Sequence, residues 1–128
     1  VLEALELERR GGNLTEESSL PNKKLSIEHI MPRGWSTNWY LPDDSQEAKD
    51  ARAALIHTIG NLTLVTGSLN STLSNDPWSK KRRTLRKHSV LLLNADLQEI
   101  DEWNEGEIKN RSKNLFKLAK KIWPMPTD

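Results

Sequence analysis

The sequence predicts an α+β domain, a small two-stranded sheet closed by a short helix and surrounded by several longer helices. Three observations predict it. The run Leu-Ser-Ile-Glu-His-Ile at 25–30 alternates apolar and polar residues, which suits a short half-buried strand stopped by Pro32. Asn-Leu-Thr-Leu-Val at 61–65 has the leucine and β-branched content of a second short strand, and Leu69 and Leu73 behind it stand at a helical spacing of four. Finally, Ile108, Leu115, Leu118, Ala119 and Ile122 recur with helical period on one face. Two strands between helical stretches make the segregated α+β arrangement.

The remaining elements follow in chain order. In residues 1–10, Leu2, Leu5 and Leu7 stand at roughly helical spacing before Gly11-Gly12, which reads as the tail of a helix. The chain opens on Val1 rather than Met, which suggests a piece of a longer protein. Residues 11–23 are polar, contain Pro21 and read as a loop, so 1–23 form an upstream tail, 24–124 the domain proper and 125–128 a C-terminal tail. After a Gly-Trp turn and a Trp-Tyr pair, Asp43 or Asp44 can cap a helix whose apolar positions include Ala48, Ala51, Ala54 and Leu55 and which Gly60 breaks. Asp76 as cap and Pro77 as first residue open the next helix. The run Val-Leu-Leu-Leu-Asn at 90–94 fits either a buried helical turn or a strand. Asn104 followed by Glu107 resembles a capping box, opening a helix to about Trp123 that Pro124 stops.

Composition narrows the function. With 35% hydrophobic and 29% charged residues in 128, the chain has the balance of one folded domain. The absence of cysteine excludes disulfides, thiol catalysis and cysteine-ligated zinc. No membrane span or signal peptide is legible, so a cytoplasmic location without membrane partners is expected. A net charge of +1 hides segregation: residues 1–19 carry five Glu against two Arg, whereas 78–88 carry six Lys or Arg and no acid. Clustered cations favour phosphate through counterion release. Lys80, Lys81, Arg82 and Arg83 are therefore candidate nucleic-acid contacts, the alternative being a solvated helix face.

The chemistry concentrates in three pieces: Glu28-His29-Ile30-Met31-Pro32, then Gly60-Asn61-Leu62, then Asn70, nine residues after Asn61. Adjacent strand residues point to opposite faces, so gathering Glu28 and His29 in one pocket calls for a bend just before Pro32. Asn61 after Gly60 also suits a turn, and Asn70 also suits helix capping. His57, four residues before Asn61, is a candidate to brace the site or contact phosphate, against a buried hydrogen-bonded histidine. Asn75 reads as a residue supporting the site from behind its ligands or, more simply, as a cap or turn. The tryptophans read first as core anchors; Trp35 and Trp39 lie beside the site, where a substrate role is also open.

These pieces resemble the HNH, or His-Me finger (ββα-metal), nuclease superfamily: an acid-His pair followed by Ile-x-Pro, an Asn-Leu strand, and a His or Asn after a short helix turn. Glu28 stands where Asp is commoner, and the chain belongs with members lacking structural cysteines. The ordered runs IEHIMP, HTIGNLTLVTGSLNSTLSNDPWSKKR and the terminal IWP are similar, over about 24–124, to the C-terminal domain of GmrSD-type modification-dependent restriction enzymes. The resemblance implies a ββα-metal core and endonuclease activity on DNA, including modified phage DNA. It also implies an upstream ParB-like nucleotide-hydrolysing domain in a larger bacterial restriction or phage-defence protein. His29 would be the base that activates water, Asn61 would brace its loop, and Glu28 and Asn70 would hold one divalent ion. Oxygen ligands of this kind favour Mg²⁺ or Mn²⁺. The rival readings are a catalytically inactive HNH-like module that only binds DNA, and a domain that docks on a partner.

Overall fold

The computed structural model describes residues 1–10, 24–89 and 91–124. In chain order these form α1 (Leu2–Arg9), β1 (Leu25–His29), α2 (Gln46–Ile56), a 3-10 turn at Ile59–Asn61, β2 (Leu62–Thr66), α3 (Gly67–Leu73), α4 (Trp78–His88), α5 (Leu92–Ala95), a second 3-10 turn at Asp96–Glu99 and α6 (Glu105–Ile122). The strands pair antiparallel, with Glu28 opposite Thr63 and His29 opposite Leu62. Directly opposed residues share a face. One face of β2 therefore sends Val65 into a core with Leu69, Leu73, Trp78 and Leu85. The other sends Leu64 into a second cluster with Leu2, Leu5 and Leu115. The run 90–94, open between helix and strand, contains the start of the short helix α5.

Alternation along β1 is inverted from the expected pattern. Ile27 is 58% exposed, whereas Glu28 is buried. Ile27 lies opposite Leu64, but α1 covers that face over β2 and leaves the edge strand open. Glu28 faces the α3–α4 side with Thr63 and Val65, where Lys81 supplies a positive charge 3.9 Å from its Oε1. The strand therefore buries its carboxylate rather than its isoleucine.

The face of α2 is also not the alanine face. Arg52 and Ile56 are buried, and Ala51 and Ala54 are exposed. Arg52 is tolerated there because the segment 33–45 and the start of α6 surround it with acceptors. Its guanidinium lies 4.8 Å from the Trp35 ring centroid, donates to the carbonyls of Trp39 and Tyr40, and pairs with Glu105. Ser45, not Asp43 or Asp44, caps α2 by accepting from Ala48 N, while Asp43 accepts from Ser45 N. Likewise Pro77 is the cap of α4, and Asp76 pairs instead with Lys80 at 3.6 Å. Asn104 caps α6 as expected, accepting from Glu107 N.

Helix α1 packs against α5, α6 and β2. Leu2 and Leu5 are buried, and the fully buried Glu6 accepts from the backbone N–H groups of Leu92 and Leu93 at the start of α5. Arg9 adds a two-pronged pair with Asp96. Residues 11–23, read as a loop, and the tail 125–128 lie outside the described residues.

The 3-10 turn before β2 seats the site on α6. A methyl group on Gly60 would land on the Ile108 carbonyl oxygen and the Ser112 hydroxyl, so only glycine permits this approach. Arg111, buried between Ile108 and Leu115, donates to the carbonyls of Gly60 (3.0 Å) and Leu62 (2.6 Å). Burial pushes its pKa down to about 10, which leaves it charged at neutral pH.

Candidate active site

Asn61 organises the end of β1. It is fully buried, and its Oδ1 accepts from Met31 N (2.8 Å) and Trp103 Nε1 (3.0 Å). Its Nδ2 donates to the carbonyls of Met31 and Ile56, both at 2.9 Å. Two donors and two acceptor positions are thus all used, the full capacity of a carboxamide. Its backbone carbonyl also accepts from Ile30 N at 2.8 Å. The bend at Ile30–Met31 is therefore held from both sides immediately after His29. Because that bend follows the pair, Glu28 and His29 keep the alternate directions of strand neighbours.

His29 is half-buried, and its Nε2 lies 3.2 Å from Nδ1 of His57, with the rings edge to face. Its Nδ1 makes no hydrogen bond among the described residues. Burial first, then the electrostatic influence of the neighbouring Arg33, His57 and Lys81, pushes the His29 pKa below its ordinary value. The imidazole is thus neutral at pH 7. If Nε2–H donates to His57, Nδ1 keeps a free lone pair, which is what a proton acceptor requires.

Glu28 and Lys81 lie beneath. The ammonium of Lys81 donates to the His29 carbonyl at 2.9 Å and sits 3.9 Å from Glu28 Oε1. Glu28 Oε2 is buried without a hydrogen-bond partner. Burial raises the Glu28 pKa, and Lys81 offsets part of that rise. Asn70 lies half-buried on α3, which packs against both strands, and its amide makes no hydrogen bond among the described residues. A buried carboxylate oxygen without a partner is the type of donor that a small oxygen-loving cation takes. Among the described residues no cluster of three or more His, Asp or Glu could hold a metal alone.

The remaining predicted residues separate. Lys80 and Arg83 are exposed on α4, and Lys80 pairs with Asp76. Arg82 is half-buried, bonded to the Gln98 carbonyl and to Asp101. Lys81 does not stand with them: it is 1% exposed and points into the site. Asn75 sits in the turn between α3 and α4, its carbonyl accepting from Asn38 and its amide packed over Gly34. Trp39, Trp78 and Trp103 are buried, and each uses its indole N–H on an internal acceptor, as anchors do.

Sequence reasoning missed the inward role of Lys81, although Trp78, Lys81 and Leu85 stand at i, i+3 and i+7, the spacing of one buried stripe. It also missed the Trp103–Asn61 bond, for which a separation of 42 residues leaves no local signal.

Two antiparallel strands followed by a short helix, with His29 at a strand end and the saturated Asn61 behind it, make a ββα frame, and the family that the chain matches is one of nuclease domains. More particularly, residues 1–118 match the family model described as GmrSD restriction endonucleases, C-terminal domain, and the chain belongs to that family. No curated protein and no solved structure gave a match. Among the described residues, no helix is long and apolar enough to cross a membrane.

Proposed function

We propose that this domain is an HNH-type, divalent-metal-dependent endonuclease that hydrolyses DNA phosphodiester bonds. The observation that carries the reading is the neutral His29 with Nε2 engaged by His57 and Nδ1 open, on a bend locked by Asn61. In this reading His29 Nδ1 takes a proton from the attacking water. Glu28 and Asn70 would hold one Mg²⁺ or Mn²⁺, which when bound supplies positive charge to the phosphorane and the leaving oxygen. Asn61 keeps the His29 peptide in place and touches neither metal nor substrate. Lys80 and Arg83, with the exposed lysines of α6, offer phosphate contacts. The physiological setting we assign is a cytoplasmic restriction or phage-defence protein acting on DNA, including modified phage DNA, with a nucleotide-hydrolysing ParB-like domain upstream.

Incubation of the protein with supercoiled plasmid is expected to give nicked product with Mg²⁺ or Mn²⁺ and none with a chelator. The second reading, a module that binds DNA without cutting, is favoured by Lys81 standing 3.9 Å from a proposed metal ligand. It predicts salt-sensitive DNA affinity with no nicking under either metal.

The His29 environment also sets a pH dependence. A base must be unprotonated, and the folded pKa lies below the ordinary imidazole value of about 6.5. The acid limb of the rate profile is therefore expected below that value, and Arg33→Ala should move it upward by removing a repelling charge. The stability sign agrees. As pH falls from about 6.5 towards the folded pKa, the unfolded chain binds more protons at this site, so stability is lost across that window and is complete above it. A limb unmoved by Arg33→Ala would mean that a group other than His29 titrates.

A further inference from the structure

Lys81 is a fully buried cation that the reaction outlined above does not use. Helix α4 carries its basic residues on both sides, yet buries only this one, between Trp78 and Leu85. The cost of desolvating an ammonium is offset by two partners: the His29 carbonyl at 2.9 Å and the Glu28 carboxylate at 3.9 Å. These are the peptide carrying the proposed base and the side chain of a proposed metal ligand. One atom from α4 therefore meets both the His29 peptide and the Glu28 side chain. Glu28 would otherwise be a buried carboxylate with little to neutralise it, since its second oxygen already lacks a partner.

We propose that Lys81 is a positioning residue that preforms the Glu28–His29 corner: its ammonium is the resident counter-charge of Glu28 and pins the His29 carbonyl, and the counter-charge role passes to a divalent cation once one is bound. The inference rests on the metal-ligand reading of Glu28. Its cost is repulsion between the ammonium and that cation, so the wild-type site should bind metal more weakly than its oxygen donors alone would allow. The benefit is a corner already in shape before metal and DNA arrive.

The test uses the whole chain with Mn²⁺ as probe, comparing wild type, Lys81→Met and the double variant Glu28→Gln/Lys81→Met. Without metal, Lys81→Met is expected to melt roughly 10 °C lower, because a buried carboxylate loses its partner. The double variant should recover at least half of that loss, because the uncompensated charge is gone. Calorimetric titration should show Mn²⁺ binding about tenfold tighter in Lys81→Met than in wild type. Saturating Mn²⁺ should then raise the melting temperature of Lys81→Met by more than that of wild type. In nicking assays the half-saturating Mn²⁺ concentration should fall while kcat also falls, a split that loss of packing alone does not give. Unchanged or weaker Mn²⁺ binding in Lys81→Met, or a double variant no more stable than the single, would overturn the proposal. If Lys81→Met fails to fold, a folded double variant supports the coupling and an unfolded one overturns it. Metal-linked stability in a wild type that never nicks DNA would leave this proposal standing and remove the nuclease reading; nicking with no Lys81 effect on metal binding would do the reverse.

Discussion

Replacing His29 with alanine is expected to lower metal-dependent plasmid nicking by about 10³-fold while leaving the fold intact, the size of effect usual for a general base. The fold should survive because the imidazole is half-buried and has one side-chain partner, His57, whose own ring is exposed and can turn to water. Its carbonyl, not its side chain, carries the bond to Lys81, and that bond persists in alanine. Rate and melting temperature should therefore separate: a large kinetic loss with a melting shift of no more than a few degrees. Asparagine at the same position tests the assignment further, because it retains hydrogen bonding without a basic nitrogen and should be as inactive as alanine. Nicking at the wild-type rate by His29→Ala would remove His29 as the base.

Asn61→Ala is expected to have the largest effect on stability of any change at the site, a loss of about 4 kcal/mol. Four bonds are broken at once, and their partners are Met31 N, the carbonyls of Met31 and Ile56, and Trp103 Nε1. All four meet at a fully buried side chain, so water does not readily replace it. Each buried group left unpaired costs about 1–3 kcal/mol, discounted here because relaxation of the bend would repair some of them. Asn61→Asp should be nearly as damaging. It keeps the acceptor but turns the donating end into an oxygen facing two carbonyls. Chemical denaturation would measure both, and nicking should be lost even where the protein stays folded, since the bend behind His29 is no longer fixed. A loss under 1 kcal/mol would mean that the lock is not what holds the bend.

Much of this domain could be read along the chain. The two strands, the short helix behind them and the Asn104-capped terminal helix came from period and caps, signals carried by residues close in sequence. The order Glu28-His29, Asn61, Asn70 pointed to the family, which the match over residues 1–118 shows. Local reading failed where distant segments decide which face is inside. β1 buries Glu28 and exposes Ile27 because Lys81 arrives from α4, and α2 buries Arg52 because Trp35, two backbone carbonyls and Glu105 close around it. In both cases a hydrophobicity pattern gave the opposite face, since charge pairing between elements overrides the preference of a single residue.

The sequence by itself thus determined the α+β class, the positions of the principal elements and the residues able to do chemistry at a strand end. Those follow from covalent order: spacing, capping residues and the donor chemistry of Glu, His and Asn. Only the tertiary structure decided that Asn61 is saturated by Met31, Ile56 and Trp103, that Gly60 lets the turn lie against α6, and that one lysine of the basic helix faces the site while Lys80 and Arg83 face water. Each depends on which surfaces meet across tens of residues of chain. The balance there is between desolvating a polar group and supplying it with partners, and no local stretch of sequence contains both sides of it.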